Sequence, residues 1–151
     1  MTIQAKYVHT NLIAQDWKKL MKFYVDILGC SPLPPERDFA GADIDRATGL
    51  ENARIWGQHL RMPGWGDNGP TLEIFQYGDM SESTVTSINR PGFGHLAFAV
   101  EDVHSAREEV LAAGGSVIGD VVSLDVSGAG TVTFTYLTDP EGNVIELQKW
   151  S

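Results

Sequence analysis

The chain has 151 residues, of which 42% are hydrophobic and 21% are charged, a balance typical of an ordinary globular protein. Its net charge of -9 disfavours nucleic acid and anionic membrane surfaces, so the expected partner is a small molecule or another protein. No run reaches the ~18 apolar residues that span a bilayer, and residues 1–6 lack the apolar segment of a signal peptide. We therefore expect a cytoplasmic location, which the single cysteine, Cys30, also suits.

The first elements of the chain are a strand and a helix. Residues 6–14 alternate between apolar and polar positions, and His9 lies on the more polar face of the predicted strand. Asp16 is placed to cap a helix whose apolar residues recur at three- and four-residue spacing until Gly29. The sequence thus predicts a strand followed by an amphipathic helix with both ends marked.

A less regular stretch follows this helix. Three prolines between residues 32 and 35 interrupt the pattern, and residues 36–50 are predicted as a loop with one helical turn at 43–48. The remaining elements of this half are predicted strands near 53–62 and 71–77, joined by a turn-rich hairpin connection, and a polar linker over 78–91.

The second half repeats the order of the first. A strand carrying His95 leads to a helix over 102–113, and strands are predicted near 116–123, 130–138 and 144–148. An offset of 86 residues places His9 on His95, and an offset of 73 places Glu73 on Glu146. We therefore predict an α+β fold of two tandem βαβββ modules within one domain, residues 1–151, divided into module 6–77, linker 78–91 and module 92–150.

These four repeated positions carry residue types that bind metals. Either histidine alone would more often be structural. Glu73 and Glu146, however, each lie between large aliphatic residues, where an unpaired carboxylate is costly unless a cation compensates it. Two imidazoles and two carboxylates can hold a divalent metal and leave positions open for water or substrate. The alternative is that all four are rim residues that were copied with the fold.

Several motifs occur in a fixed order along the chain, namely Val8-His9-Thr10, residues 23–29, Leu72-Glu73-Ile74, residues 94–100, residues 139–143 and Ile145-Glu146-Leu147. Together they resemble the vicinal oxygen chelate superfamily, which includes glyoxalase I, bleomycin resistance protein and extradiol dioxygenases. The resemblance covers nearly the whole chain. It implies that the two βαβββ modules form a curved mixed sheet with a metal-binding cleft.

The resemblance also implies a ligand set and an activity. Carried over to this sequence, the metal ligands are His9, Glu73, His95 and Glu146, and the ion is Ni, Co, Zn, Mn or Fe. It favours a metal-dependent lyase or isomerase acting on a small α-oxo, α-hydroxy or thioester substrate, with Glu146 as the base and Glu73 as the alternative catalytic group. A homodimer is typical of the family.

Two other functions remain open on the same fold. An extradiol-type dioxygenase uses two His and one Glu, so it would leave the position of Glu73 without a ligand. A non-catalytic protein that binds a hydrophobic drug would need no metal. The scaffold alone does not choose among these functions.

The sequence departs from glyoxalase I at its glutathione-binding positions, where Ile13, Tyr77 and Pro91 stand in place of polar or basic residues. We therefore expect a more apolar substrate that is not linked to glutathione. Candidate aromatic residues for its pocket are Phe75, Tyr77, Trp56 and Trp65. His59 and His104 have no partner in the repeat and are predicted to be surface residues.

Overall fold

The computed structural model describes residues 1–84 and 87–151; Val85 and Thr86, which belong to the predicted linker, lie outside the described residues. The chain forms two compact units, Met1–Glu82 and Ser83–Ser151. Each unit has one sheet with parallel and antiparallel strand pairs and at least one helix, so the predicted α+β class with two related modules is confirmed. Among these residues, no helix is long and apolar enough to cross a membrane.

The first unit contains four strands and two helices. They are β1 (His9–Ile13), α1 (Trp17–Asp26), β2 (Ser31–Ala40), α2 (Ala42–Thr48), β3 (Arg54–Arg61) and β4 (Thr71–Tyr77). The strand order across the sheet is β1-β4-β3-β2. β1 runs parallel to β4, and the other neighbours are antiparallel.

Helix α1 begins where the sequence predicts and ends at Asp26, slightly before the predicted end at Gly29. The Asp16 side chain accepts a hydrogen bond of 3.1 Å from the Lys19 amide, and Gly29 after the helix has a φ of 75°. The buried side chains of α1 are Trp17, Leu20, Phe23 and Tyr24. Trp17 donates its backbone N–H to Gln76 of β4, so the helix covers the sheet face that carries Gln76. The other face of the sheet is not covered by α1.

The prediction that the prolines interrupt regular structure and that a loop follows them is wrong for residues 31–40, which form β2. Residues Ser31–Ala40 form a strand that pairs with β3, although Pro32, Pro34 and Pro35 lie within it. β2 is the last strand of its sheet, so it needs hydrogen-bond donors along only one side, and the register shifts between Leu33 and Arg37. Prolines are tolerated at such edges and irregularities. The predicted helical turn at 43–48 is present as α2.

The second unit repeats this architecture. Its elements are β5 (Leu96–Ala99), α3 (Val103–Ala112), β6 (Ser116–Val117), β7 (Val122–Val126), β8 (Gly130–Thr138) and β9 (Val144–Trp150). The sheet order is β5-β9-β8-β6, and β7 also pairs with β8. Asp102 caps α3 by accepting a hydrogen bond from the Ser105 amide. The strand predicted near 116–123 is instead two shorter strands, β6 and β7.

Cys30 is buried, and desolvation by this burial raises the pKa of its thiol to about 11. The thiol is therefore protonated at neutral pH, and the thiolate is the nucleophilic form of cysteine. Cys30 thus belongs to the core and offers no activated nucleophile.

A buried carboxylate holds the turn between β8 and β9. Asp139 is 1% exposed and accepts hydrogen bonds from the Glu141 amide, the Asn143 amide and the Asn143 side chain at 2.8 to 3.0 Å. Asp139→Ala would leave these donors unpaired, so we expect a loss of about 3 kcal/mol in the free energy of unfolding. Urea unfolding followed by circular dichroism measures this loss. Asp125→Ala, which removes an exposed carboxylate bonded to Thr131, is the matched control; an equal loss in both variants would contradict the prediction.

Candidate active site

The uncovered face of the first sheet carries the polar residues of the candidate site. Asn11 of β1 lies beside Glu73 of β4, and His59 of β3 lies opposite Glu73 on the other side. Side chains at paired positions project from the same face of a sheet. The register therefore brings these three side chains together, and His9 joins them from the start of β1.

Glu73 is the centre of this cluster. Its Oε1 accepts a hydrogen bond of 2.9 Å from Asn11 Nδ2 and lies 3.5 Å from His9 Nε2. Its Oε2 lies 2.7 Å from His59 Nε2. The Glu73 side chain is only 12% exposed, so these partners replace most of the water that a carboxylate would otherwise bind. Both carboxylate oxygens are thus fixed in direction.

The prediction that His59 is a surface residue is wrong. Its side chain is 16% exposed, and its ring lies 5.1 Å from the His9 ring in an edge-on arrangement. The sequence did contain a signal for this position: His59 and Glu73 are equally distant from Gly66 in the predicted hairpin connection. An antiparallel hairpin pairs residues at equal distances from its turn.

The hydrogen bonds of His59 define its tautomer. Nε2 donates to the carboxylate of Glu73, so in the neutral ring Nδ1 is the acceptor and the Thr71 hydroxyl, 2.8 Å away, donates to it. Burial lowers the pKa of His59. The negative charge of Glu73 acts to raise this pKa, whereas the charges of His9 and Arg37 lower it further. A neutral His59 therefore links Thr71 to Glu73 as one chain of hydrogen bonds.

The second unit holds the other predicted pair. His95 lies just before β5, and its Nε2 is 2.9 Å from Glu146 Oε2 on β9. Tyr136 of β8 is opposite Glu146 in the register, and its ring lies 5.1 Å from that of His95. Burial, followed by the charge of Glu146, raises the pKa of Tyr136. This pair is thus flanked by a neutral phenol.

The two pairs occupy equivalent places in the two units. The first strand of each unit lies parallel to the last, and each glutamate lies beside the residue two positions after its histidine, Asn11 for Glu73 and Ala97 for Glu146. His59 and Tyr136 are equivalent in the same way, because each is directly opposite the glutamate on the neighbouring antiparallel strand. The duplication therefore extends from the backbone to the four candidate ligands, and the units differ at Asn11 and His59.

The residues of each pair suit a divalent metal. Imidazole nitrogens and carboxylate oxygens bind such ions at about 2.0–2.2 Å, which places two ligands of one ion about 3 to 3.5 Å apart. The His9–Glu73 and His95–Glu146 separations of 3.5 and 2.9 Å meet this requirement. Within residues 1–84 and 87–151, no group of three or more His, Cys, Asp or Glu side chains is arranged to hold a metal. Each unit thus offers two suitable donors.

The first unit also contains a cavity of about 840 Å³. Ile13 and Tyr77, two of the three residues predicted to replace the glutathione-binding residues of glyoxalase I, both line it, together with Leu50, Arg54 and Met80. Ile13 lies on the same strand as His9, and Tyr77 on the same strand as Glu73. The lining also includes Glu51, Asn52, Asp79 and Ser81, so the apolar part of a substrate would contact mainly Ile13, Leu50, Tyr77 and Met80.

The other predicted aromatic residues lie in different surroundings. Phe75 shares the face of Glu73, and its ring lies so close above Gly57 that an added Cβ there would be 2.5 Å from it. Trp56 pairs with Gln76 and so lies on the opposite face, whereas Trp65 is 66% exposed in the hairpin connection. Only Phe75 and Tyr77 of the four therefore lie on the face that carries Glu73.

Comparison with known proteins defines the class to which this fold and these pairs belong. The model of the Glyoxalase/Bleomycin resistance protein/Dioxygenase superfamily matches residues 6–147. The chain therefore belongs to this superfamily, as the sequence motifs indicated.

Among its relatives, a probable lactoylglutathione lyase of Synechocystis sp. is 29% identical over 93% of this chain and 92% of its own length. The lactoylglutathione lyase of Haemophilus influenzae is 28% identical over 93% of this chain and 89% of its own length. A glyoxalase family protein from Bacillus cereus has the same fold, with a TM-score of 0.74 at 17% identity over 99% of this chain and 95% of its own. These relatives support a glyoxalase-like protein.

Proposed function

We propose that this protein is a divalent-metal-dependent lyase or isomerase that acts on a small α-oxo, α-hydroxy or thioester substrate not linked to glutathione. The observation that carries the proposal is the pair of His–Glu contacts at equivalent positions of the two units, with separations of 3.5 and 2.9 Å. A half-buried carboxylate needs a cation or hydrogen-bond donors, and a His–Glu pair in each unit is the donor set that a divalent metal takes. The proposal includes a homodimer, which the family resemblance implies, and a cytoplasmic location, which is expected from the sequence.

The proposed ligands are His9, Glu73, His95 and Glu146, and the ion is Ni, Co, Zn, Mn or Fe. When bound, the ion supplies a Lewis acid that polarises the oxygens of the substrate. Asn11 and His59 fix both oxygens of Glu73, so Glu73 holds one orientation. A carboxylate oxygen of Glu146 takes a proton from the substrate carbon next to the carbonyl and returns it to the neighbouring carbon.

A second function, non-catalytic binding of a hydrophobic compound, is favoured by one observation. The 840 Å³ cavity is lined by Ile13, Leu50, Tyr77 and Met80, among other residues, and its size suits a drug-sized molecule. Binding of such a compound at full affinity to protein stripped of metal would favour this function over the first.

Metal content and metal-dependent turnover test the proposed function. Protein purified without chelator should contain about one ion per chain by elemental analysis. It should convert the hemithioacetal of methylglyoxal with benzyl mercaptan, and turnover should fall after stripping on a chelating resin and return when one of the five ions is added. The glutathione hemithioacetal, assayed in parallel, should be the poorer substrate.

The control variants separate the ligands from other histidines. His9→Ala and His95→Ala should each lower metal content, whereas His104→Gln, which changes an exposed histidine on α3, should leave it as in the wild type. A wild-type protein that binds none of the five ions, even when they are supplied in excess, contradicts the proposal.

A further inference from the structure

A second cavity of the first unit, about 400 Å³, opens onto the two imidazoles that contact Glu73. Its lining comes from the segment before β1, from β2, from β3 and from the hairpin connection before β4. The lining residues that carry charge or can donate hydrogen bonds include Lys6, Arg37, His9, His59 and Asn68. This cavity is separate from the one lined by Ile13 and Tyr77, because the two share no lining residue.

The charge of this cavity is opposite to that of the protein. The chain has 20 acidic and 11 basic residues, yet no carboxylate is among the described residues that line the cavity. In residues 1–84 and 87–151, neither Lys6 nor Arg37 forms an ion pair, whereas Arg46 and Arg54 are paired with aspartates. Cations that line a concave site without acidic residues beside them in the lining raise the local concentration of anions.

The backbone fixes Arg37 on the same face as the metal-ligand candidates. Arg37 of β2 is paired with Gly57 of β3, two residues from His59 on the same strand, so Arg37 and His59 project from the same side of the sheet. Arg37 is half-buried, and its Nη1 donates to the carbonyl oxygen of Pro35 in its own strand. The guanidinium is thus held in place by β2 itself.

We propose that this cavity binds an anionic group of the substrate, a carboxylate or a phosphate, through Arg37 and Lys6, next to the metal site. Because this proposal concerns the substrate of the metal-dependent enzyme, it rests on the proposed function. It changes the expectation of a wholly apolar substrate: the substrate is an amphipathic acid, with its anionic end at Arg37 and its apolar part in the cavity lined by Ile13 and Tyr77.

Binding of simple anions to the full chain, stripped of metal on a chelating resin, tests this site without depending on the metal. Inorganic phosphate, acetate and glutathione are titrated separately while ¹H–¹⁵N NMR follows the amides of Arg37, His59 and Thr71. Phosphate or acetate should give saturable shifts at these amides, and the tighter of the two identifies the anionic group. Tightest binding by glutathione, with shifts at the same amides, would overturn the assignment to a small acid.

Charge-matched variants identify the residue responsible. Arg37→Gln should weaken binding of the preferred anion by about tenfold, the effect of losing one charge-assisted hydrogen bond, and Lys6→Gln should weaken it by a smaller factor. Arg46→Gln removes the same charge from an exposed position on α2 and should change the affinity by less than about twofold. Equal weakening in the Arg46 and Arg37 variants, or no saturable shift in the wild type, overturns the proposal.

Metal affinity measured on the same samples separates this site from the proposed function. Phosphate or acetate binding in a protein that takes up no metal would remove the proposed function and keep the anion site. Metal binding without anion binding at Arg37 would remove the anion site and keep the proposed function.

Discussion

Glu146→Gln is expected to lower turnover by at least about 100-fold, since general acid–base groups typically contribute factors of 10² to 10⁴. The amide has nearly the shape of the carboxylate, and its oxygen can still face His95, whose Nε2 lies 2.9 Å from Glu146 in the wild type. It cannot take a proton at neutral pH, however. We therefore expect the metal content to change little while the turnover number falls.

The same change at Glu73 should have a different result. Both oxygens of Glu73 accept from donors, Oε1 from Asn11 and Oε2 from His59. Glu73→Gln would turn an amide N–H₂ toward one of these donors and leave it unsatisfied. Metal affinity and unfolding free energy should therefore fall together with turnover.

Steady-state kinetics, elemental analysis and urea unfolding of both variants measure this difference. Glu109→Gln, an exposed change on α3, is the control for the loss of one negative charge. Full turnover by Glu146→Gln would remove Glu146 from the role of base. If Glu73→Gln alone lost turnover while it retained its metal, Glu73 would be the base in place of Glu146.

His59→Leu is expected to weaken metal binding by about 10- to 100-fold, which is the usual effect of removing a group that orients a metal ligand. The change removes the Nε2–H that donates to Glu73 Oε2 at 2.7 Å, and it leaves the Thr71 hydroxyl without its imidazole partner. Glu73 would then rotate between several orientations before binding. Competition with a chelator of known affinity measures the loss.

Two further variants distinguish this positioning role from a general effect on folding. His59→Gln keeps an N–H donor at this position and should recover part of the affinity, whereas Thr71→Val should weaken binding in the same direction by a smaller factor. His104→Gln is the histidine control. A His59→Leu protein whose metal affinity is within about twofold of the wild type would contradict the positioning role, whatever its unfolding midpoint.

The elements set by local chemistry were predictable from the sequence. Asp16 and Asp102 marked the helix starts because each side chain can accept from the backbone N–H three residues later, and both do so. Alternation placed Leu72 and Ile74 on one face of β4, and both are fully buried. The repeat offsets also align correctly, because each glutamate lies beside the residue two positions after its histidine.

The features that depend on pairing across strands were not predicted. His59, Asn11 and Arg37 reach the site through the register of β1, β2 and β3, and no periodicity within one strand reveals which residue lies opposite another. The repeat gives no sign of His59 either, since the equivalent residue of the second module is a tyrosine, Tyr136. A ligand that is duplicated can be found by alignment, but a supporting residue present in only one module cannot.

The prolines of β2 have a consequence for how this sheet meets other chains. An exposed sheet edge normally offers a row of N–H and C=O groups to which a strand of another molecule can add. β2 ends its sheet, and Pro32, Pro34 and Pro35 have no N–H to offer. The register shift beside them further breaks the row. This border of the first module is therefore protected against strand addition, so fibril-like growth from a highly concentrated solution should not begin there.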